Sequence, residues 1–205
     1  MQELSDAEAM RSVKAGDGEV FAVVVDRYKS ALLNYLTHLC GNRDHAEEYA
    51  QEAFMRLYQT VIRYDERERL APYLFRIATN LVRTDFRRAR RWHLLLPWLD
   101  RPVAGHDETP HKRIFENEIQ RKVSAAIEAL PLMYRAPLVL REIEGWSYLE
   151  IGAALGCREG TVKSRISRAR EQLRQRLAPY WIGGTEHEPR TTQRTAALPT
   201  ARRSL

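Results

Sequence analysis

Between Ser147 and Leu173 the chain spells out two helices and the corner that joins them. Ser147 and Glu150 have the spacing of a capping box, in which the serine oxygen accepts a free first-turn N–H and the glutamate reaches back to the serine backbone. The helix they open carries Ile151 and Leu155 on one face. Gly156 falls where a helix ends and the backbone needs a left-handed residue. A second helix beginning near Glu159 places Val162, Ile166, Ala169 and Leu173 on one stripe, at steps of four, three and four. Helix, glycine turn, helix is the arrangement whose second member enters the DNA major groove and offers its N-terminal residues to base edges.

Charge supports that reading. The chain carries 33 Lys and Arg against 27 Asp and Glu, a net charge of +6. From 158 to 176 there are seven basic residues and two acidic ones, so most of the excess sits on the second helix. Basic side chains neutralise phosphates and release counterions, which gives affinity without sequence preference. Thr161, Lys163, Ser164, Arg165 and Arg168 lie off the apolar stripe, where a groove-facing surface would be.

The rest of the sequence also repeats at helical spacing, and no stretch alternates with period two. Phe21, Val24, Tyr28, Leu32, Tyr35, Leu36 and Leu39 form one stripe, and Ala46, Ala50, Phe54, Leu57 and Val61 another. Leu74, Ile77, Leu81, Val82 and Phe86 form a third, and a helix near 119–130 is expected to bury Val123, Ile127 and Leu130. The fold class is therefore all-α. Pro97, Pro102, Gly105 and Pro110 interrupt any period and mark a flexible linker. The division is a helical unit over 1–92, a linker over 93–112, a second unit over 113–182 and a disordered tail over 183–205.

Several classes are excluded. The longest apolar runs are six residues, at 20–25 and 94–99, against about 20 for a spanning helix. No membrane insertion is expected. The first ten residues carry Glu3, Asp6 and Glu8 and no basic residue, unlike a secretory leader, so the expected location is the cytoplasm. Cys40 and Cys157 are isolated and form no zinc motif. No phosphate loop, zinc-protease or nucleophile-elbow motif occurs, so neither a cofactor nor enzymatic activity is expected.

Two patches of opposite sign mark the first unit. Residues 44–52 hold Asp44, Glu47, Glu48 and Glu52 without a Lys or Arg. Residues 83–91 hold five arginines against Asp85, preceded by Arg76, Asn80 and Thr84. Tyr64, Tyr73, Phe75, Phe86 and Trp92 lie nearby, and cations interleaved with aromatics suit unpaired nucleic acid, although Phe75 and Phe86 also fit a core.

Both units resemble the sigma-70 family in its small extracytoplasmic-function (ECF) form. Asp44-His45-Ala46-Glu47-Glu48-Tyr49-Ala50-Gln51-Glu52-Ala53-Phe54, Tyr73-Leu74-Phe75-Arg76-Ile77-Ala78-Thr79-Asn80-Leu81 and Asp85-Phe86-Arg87-Arg88 are similar to region two. Leu130-Pro131, Arg135, Leu140-Arg141, Glu144-Gly145, Leu155-Gly156 and Gly160-Thr161-Val162-Lys163-Ser164-Arg165 are similar to region four. The resemblance implies a sigma factor that directs core RNA polymerase to promoters. It implies that Asp44, Glu47, Glu48, Gln51 and Glu52 dock on the β′ clamp helices, with a second contact to the β flap. It implies that the loop 64–71 with Asn80, Arg83, Thr84, Arg87 and Arg88 reads a melted −10 element. By the same match Thr161, Lys163, Ser164, Arg165 and Arg168 read a −35 duplex, the linker threads toward the polymerase cleft, and an anti-sigma factor is an expected partner. The chain departs from the pattern at Tyr73, Glu48, Tyr49 and Arg158, the last leaving the recognition helix without a side-chain cap, and at Pro137, where a kink is expected. The rival readings are a dimeric helix-turn-helix regulator that works without core polymerase and, more remotely, a metal- or nucleotide-dependent enzyme with an accessory DNA-binding domain.

Overall fold

Ser5 opens the first helix with a capping box, accepting from the Glu8 N–H while Glu8 reaches back to the Ser5 backbone. This helix, α1, spans Asp6–Lys14 in the computed structural model, which describes residues 4–64, 69–95 and 118–181. α2 (Phe21–Cys40) ends at Gly41, whose φ of 71° is the left-handed conformation that a glycine cap adopts without strain. Asn42 then caps α3 (Arg43–Gln59) by accepting from the His45 N–H at 3.1 Å. A 3-10 turn at Val61–Arg63 leads toward α4 (Leu70–Leu95). α5 (Glu118–Glu128), α6 (Leu132–Glu142), α7 (Tyr148–Leu155) and α8 (Glu159–Trp181) complete the chain, and no strand occurs among the described residues.

The helical stripes read from the sequence form the core. Val24, Leu32, Tyr35, Leu36 and Leu39 of α2 are buried against Ala46, Ala50, Phe54 and Leu57 of α3 and Leu74, Ala78 and Val82 of α4. Tyr35 is fully buried, and its hydroxyl bonds Thr79 at 2.8 Å, so the polar atom carried into the core is satisfied. In the second half Ile151, Leu155, Val162, Ile166 and Ala169 are buried and Leu173 is partly so.

Two expectations need correction, at Val123 and at the aromatics Tyr64 and Phe75. Val123 is not buried: α5 turns Ala126 and Ile127 inward instead, leaving Val123 36% exposed. α4 itself runs through Leu95, past the boundary drawn at 92 between the first unit and the linker. Tyr64 and Phe75 are buried, which removes both from any stacking surface. The linker beyond 95 and the tail after 181 lie outside the described residues.

The two halves are packed on each other. α7 lies against α4, and α5 and α6 lie against α2. Trp146, just before α7, sets its ring 4.7 Å from that of Phe75, which is itself 5.1 Å from Tyr35. Asn34 donates to Glu144 at 2.7 Å, and Arg69 pairs with Glu150 at 3.0 Å. Burial pushes the Glu144 carboxyl above its usual range, and the bond from Asn34 partly offsets this. Arg135 is buried and donates to Leu39 O at 2.6 Å, to Leu130 O at 2.9 Å and to Glu128 O. These carbonyls sit at the C-terminal ends of α2 and α5, whose last oxygens have no partner within the helix. One guanidinium thus serves two negative helix ends, one from each half. An exposed pair such as Arg69–Glu150 contributes about 0–1 kcal/mol, and the half-buried Trp146 ring and the buried Arg135 add to it.

Candidate nucleic-acid and polymerase surfaces

α4 has two faces. Leu74, Ala78, Leu81 and Val82 point into the core. Asn80, Arg83, Thr84, Arg87 and Arg88, at positions i, i+3, i+4, i+7 and i+8, share the outer face. Asn80, Thr84, Arg87 and Arg88 are exposed and Arg83 is half-buried. The Thr84 hydroxyl donates to Asn80 O at 2.8 Å, and Arg83 lies 3.4 Å from the Asn80 side-chain oxygen. No carboxylate among the described residues pairs with Arg83, Arg87 or Arg88. The five residues taken from the sequence are therefore one surface with uncompensated positive charge. Asp85, the acid within the run, accepts instead from the Tyr49 hydroxyl at 2.8 Å. Of the nearby aromatics, Tyr73 is half-buried with Arg76 over its ring at 5.0 Å, and Phe86 is half-buried.

α3 carries the acidic surface. Asp44, Glu47, Glu48 and Gln51 are exposed, and Glu52 is half-buried. Glu47 pairs with Arg43 at 3.0 Å, and Glu52 with Arg56 at 2.6 Å, each along the helix at i, i+4. Asp44 and Glu48 pair with no cation among the described residues, so they and Gln51 are the part of the patch open to a partner.

The corner between α7 and α8 follows the sequence closely. Ser147 and Glu150 form the capping box, Gly156 has φ of 63°, and α8 begins at Glu159. Gly152 was not singled out in the sequence, yet it closes the corner. A Cβ there would lie 2.8 Å from Cys157 O, and Cys157 N–H donates to Gly152 O at 3.0 Å. Along α8, Thr161, Ser164, Arg165 and Arg168 share one face. Lys163 leans aside, pairing with Glu159 at 2.7 Å and lying 5.4 Å from the Tyr148 ring. Glu159 is thereby partly neutralised, and Lys163 is raised above the usual ammonium range by the same contact. Arg170 pairs with Glu142 and Arg174 with Glu171. Arg158, Arg165 and Arg168 pair with no acid among the described residues, and they concentrate the free charge near the N-terminal end of α8. Arg165 lines a cavity of about 800 Å³ together with Arg83, Arg87 and Arg90 of α4.

Comparison with known proteins decides what these surfaces belong to. Residues 24–92 match the family model for Sigma-70 region 2, and residues 120–173 match that for Sigma-70, region 4. The ECF RNA polymerase sigma factor SigW of Bacillus subtilis is 34% identical over 187 residues, covering 85% of this chain and 98% of that protein. The chain is an ECF sigma factor of the sigma-70 family. The ECF RNA polymerase sigma-E factor of Escherichia coli is 28% identical over 187 residues, covering 87% of this chain and 97% of its own. The fold is shared with CnrH in complex with the cytosolic domain of CnrY, at a TM-score of 0.62, 24% identity and coverage of 85% and 97%. It is also shared with the sigma factor RpoE of Bartonella quintana in complex with the anti-sigma factor NepR, at a TM-score of 0.65, 24% identity and coverage of 77% and 96%. In this sigma factor α4 belongs to region two, and the α7–α8 corner to region four.

Proposed function

We propose that this sigma factor binds core RNA polymerase through Asp44, Glu48 and Gln51, with Glu47 and Glu52 at the edge of the contact. It reads a melted −10 strand with Asn80, Arg83, Thr84, Arg87 and Arg88. It reads a −35 duplex with Thr161, Ser164, Arg165 and Arg168, and Lys163 supports the phosphate contact. The observation that carries this reading is the presence of two separate positive surfaces of different construction on one chain. One is a straight helix face, suited to following a single strand, and the other a helix-turn-helix corner, suited to a major groove.

The α3 patch supports a contact with a basic partner surface, since two of its carboxylates lack a cation among the described residues. The work is binding and orientation, with the chemistry of RNA synthesis left to the polymerase. No described helix is long and apolar enough to cross a membrane, which supports action in the cytoplasm beside the polymerase. An anti-sigma factor is the proposed inhibitor, a reading supported by the RpoE structure of the same fold, which is in complex with the anti-sigma factor NepR.

Run-off transcription with purified core polymerase on fragmented DNA of the source genome tests the reading. Discrete new transcripts that require this chain are expected. Absence of transcripts together with no co-elution with core would instead favour a dimeric regulator.

A further inference from the structure

We infer that Tyr49 is a positioning residue for strand binding: its hydroxyl holds the Asp85 carboxylate against α3 and so leaves the Arg88 guanidinium to the phosphates of a single strand. The inference rests on the reading of α4 as the strand-reading helix. Five arginines and one acid share residues 83–91. Arg83 and Arg87 stand two positions to either side of Asp85 and do not face it. Of the residues one turn away, Leu81, Val82 and Ala89 carry no charge, and the fourth is Arg88, at i+3. An ion pair between Asp85 and Arg88 is thus the local default on this helix surface. It does not form. Asp85 accepts instead from the Tyr49 hydroxyl at 2.8 Å, across 36 positions of sequence. Arg88 pairs with no acid among the described residues.

The donor suits this task because it is neutral. It satisfies the carboxylate without occupying a cation of the strand-facing surface. The Tyr49 ring packs against the core, so the hydroxyl is presented from a fixed place on α3. Burial, and then the bond to Asp85 itself, push the phenol above its usual range, and the hydroxyl stays a proton donor. The negative charge of Asp85 is kept but aimed toward α3. Without the bond, the exposed carboxylate has Arg88 within one turn. An arginine already paired with an acid contributes less to a phosphate contact, and it displaces fewer counterions from the strand.

The test uses the full chain and a short, labelled DNA single strand of mixed sequence, with binding followed by fluorescence anisotropy over a series of salt concentrations. Tyr49→Phe keeps the ring and removes the donor. It should weaken strand binding about two- to fivefold at low salt, the range of one exposed ion pair. It should also flatten the logarithmic salt dependence by about 0.7, the equivalent of one phosphate contact on a single strand. The same change is then made in Asp85→Asn and Arg88→Gln backgrounds. In either it should have no further effect, because the acid or the cation that Tyr49 keeps apart is gone. Surfaces elsewhere, α8 included, contribute equally to every variant, and thermal unfolding verifies that each is folded.

The positioning role is overturned if Tyr49→Phe leaves affinity and salt dependence unchanged. It is equally overturned if the loss persists in either background, which is what a merely structural hydroxyl would give. Arg88→Gln in the parent chain separates this role from the reading of α4. If that change does not weaken strand binding, the assignment of α4 fails at Arg88. If it does, while Tyr49→Phe has no effect, Tyr49 alone loses its role.

Discussion

The Arg135 guanidinium is held by main-chain oxygens. Burial lowers its pKa from the usual arginine value, yet a guanidinium stays protonated in proteins. Replacing it by Met keeps much of the stem packing but strands Leu39 O, Glu128 O and Leu130 O. The expected cost is about 2–3 kcal/mol, read as a lower denaturation midpoint with unchanged helix content. The sequence marks Arg135 only as a position of resemblance, because nothing local marks a residue that bridges to Leu39 O, 96 positions away. Asp44 and Glu48 illustrate the opposite case, since the acidic run was plain in the sequence but its internal pairing was not. Glu48→Lys should weaken binding to core polymerase more than Glu47→Lys, because Glu47 is already paired with Arg43. Titrating labelled variants with core measures this, and equal effects would mean that the pairing does not matter. On α8, Arg165→Ala should cost about 1–3 kcal/mol of duplex binding on the preferred site if the contact is bidentate to a base. An equal loss on every sequence would reduce its role to phosphate.

At the scale of elements, the α7–α8 corner was the most legible part of the chain, because caps and glycine turns are local and their partners lie within four residues. Gly152 carries no local signal, because its requirement is set by Cys157 O across the corner, a contact created only when the helices cross. Gly152→Ala should therefore destabilise region four more than Gly160→Ala, which meets nothing within 4 Å. Thermal unfolding of both variants checks this. The Glu150 carboxyl is held below its ordinary value, first by the hydrogen bond from the Ser147 side chain, then by its backbone, with Arg69 adding a smaller push. A carboxylate with a depressed native pKa stabilises the fold above its unfolded pKa and loses that contribution as pH falls through the native value. The midpoint of the native chain should thus drop toward that of Glu150→Gln as acid is added through the carboxylate range. A constant gap between the two would show that the box does not depend on this charge. Val123 belongs to an apolar repeat yet stays exposed, because periodicity tells which residues share a face without saying which of them a neighbour covers.

On the scale of the whole molecule, the sequence revealed two helical units but not the joint between them. Pro and Gly between the units announce a linker, and a linker leaves the relative placement of what it connects unspecified. The joint depends on pairs far apart in the chain: Asn34 and Glu144 are separated by 110 positions. Such distance has a consequence during synthesis. Phe75 leaves the ribosome roughly seventy residues ahead of Trp146, an interval of about 4–14 s at typical elongation rates. Throughout that interval the region-two half stands alone, with the ring of Phe75 uncovered by Trp146 and the arginine face of α4 opposed by nothing from region four. The region-two half of this factor can therefore complete its own helical core before the ring that covers Phe75 has been made.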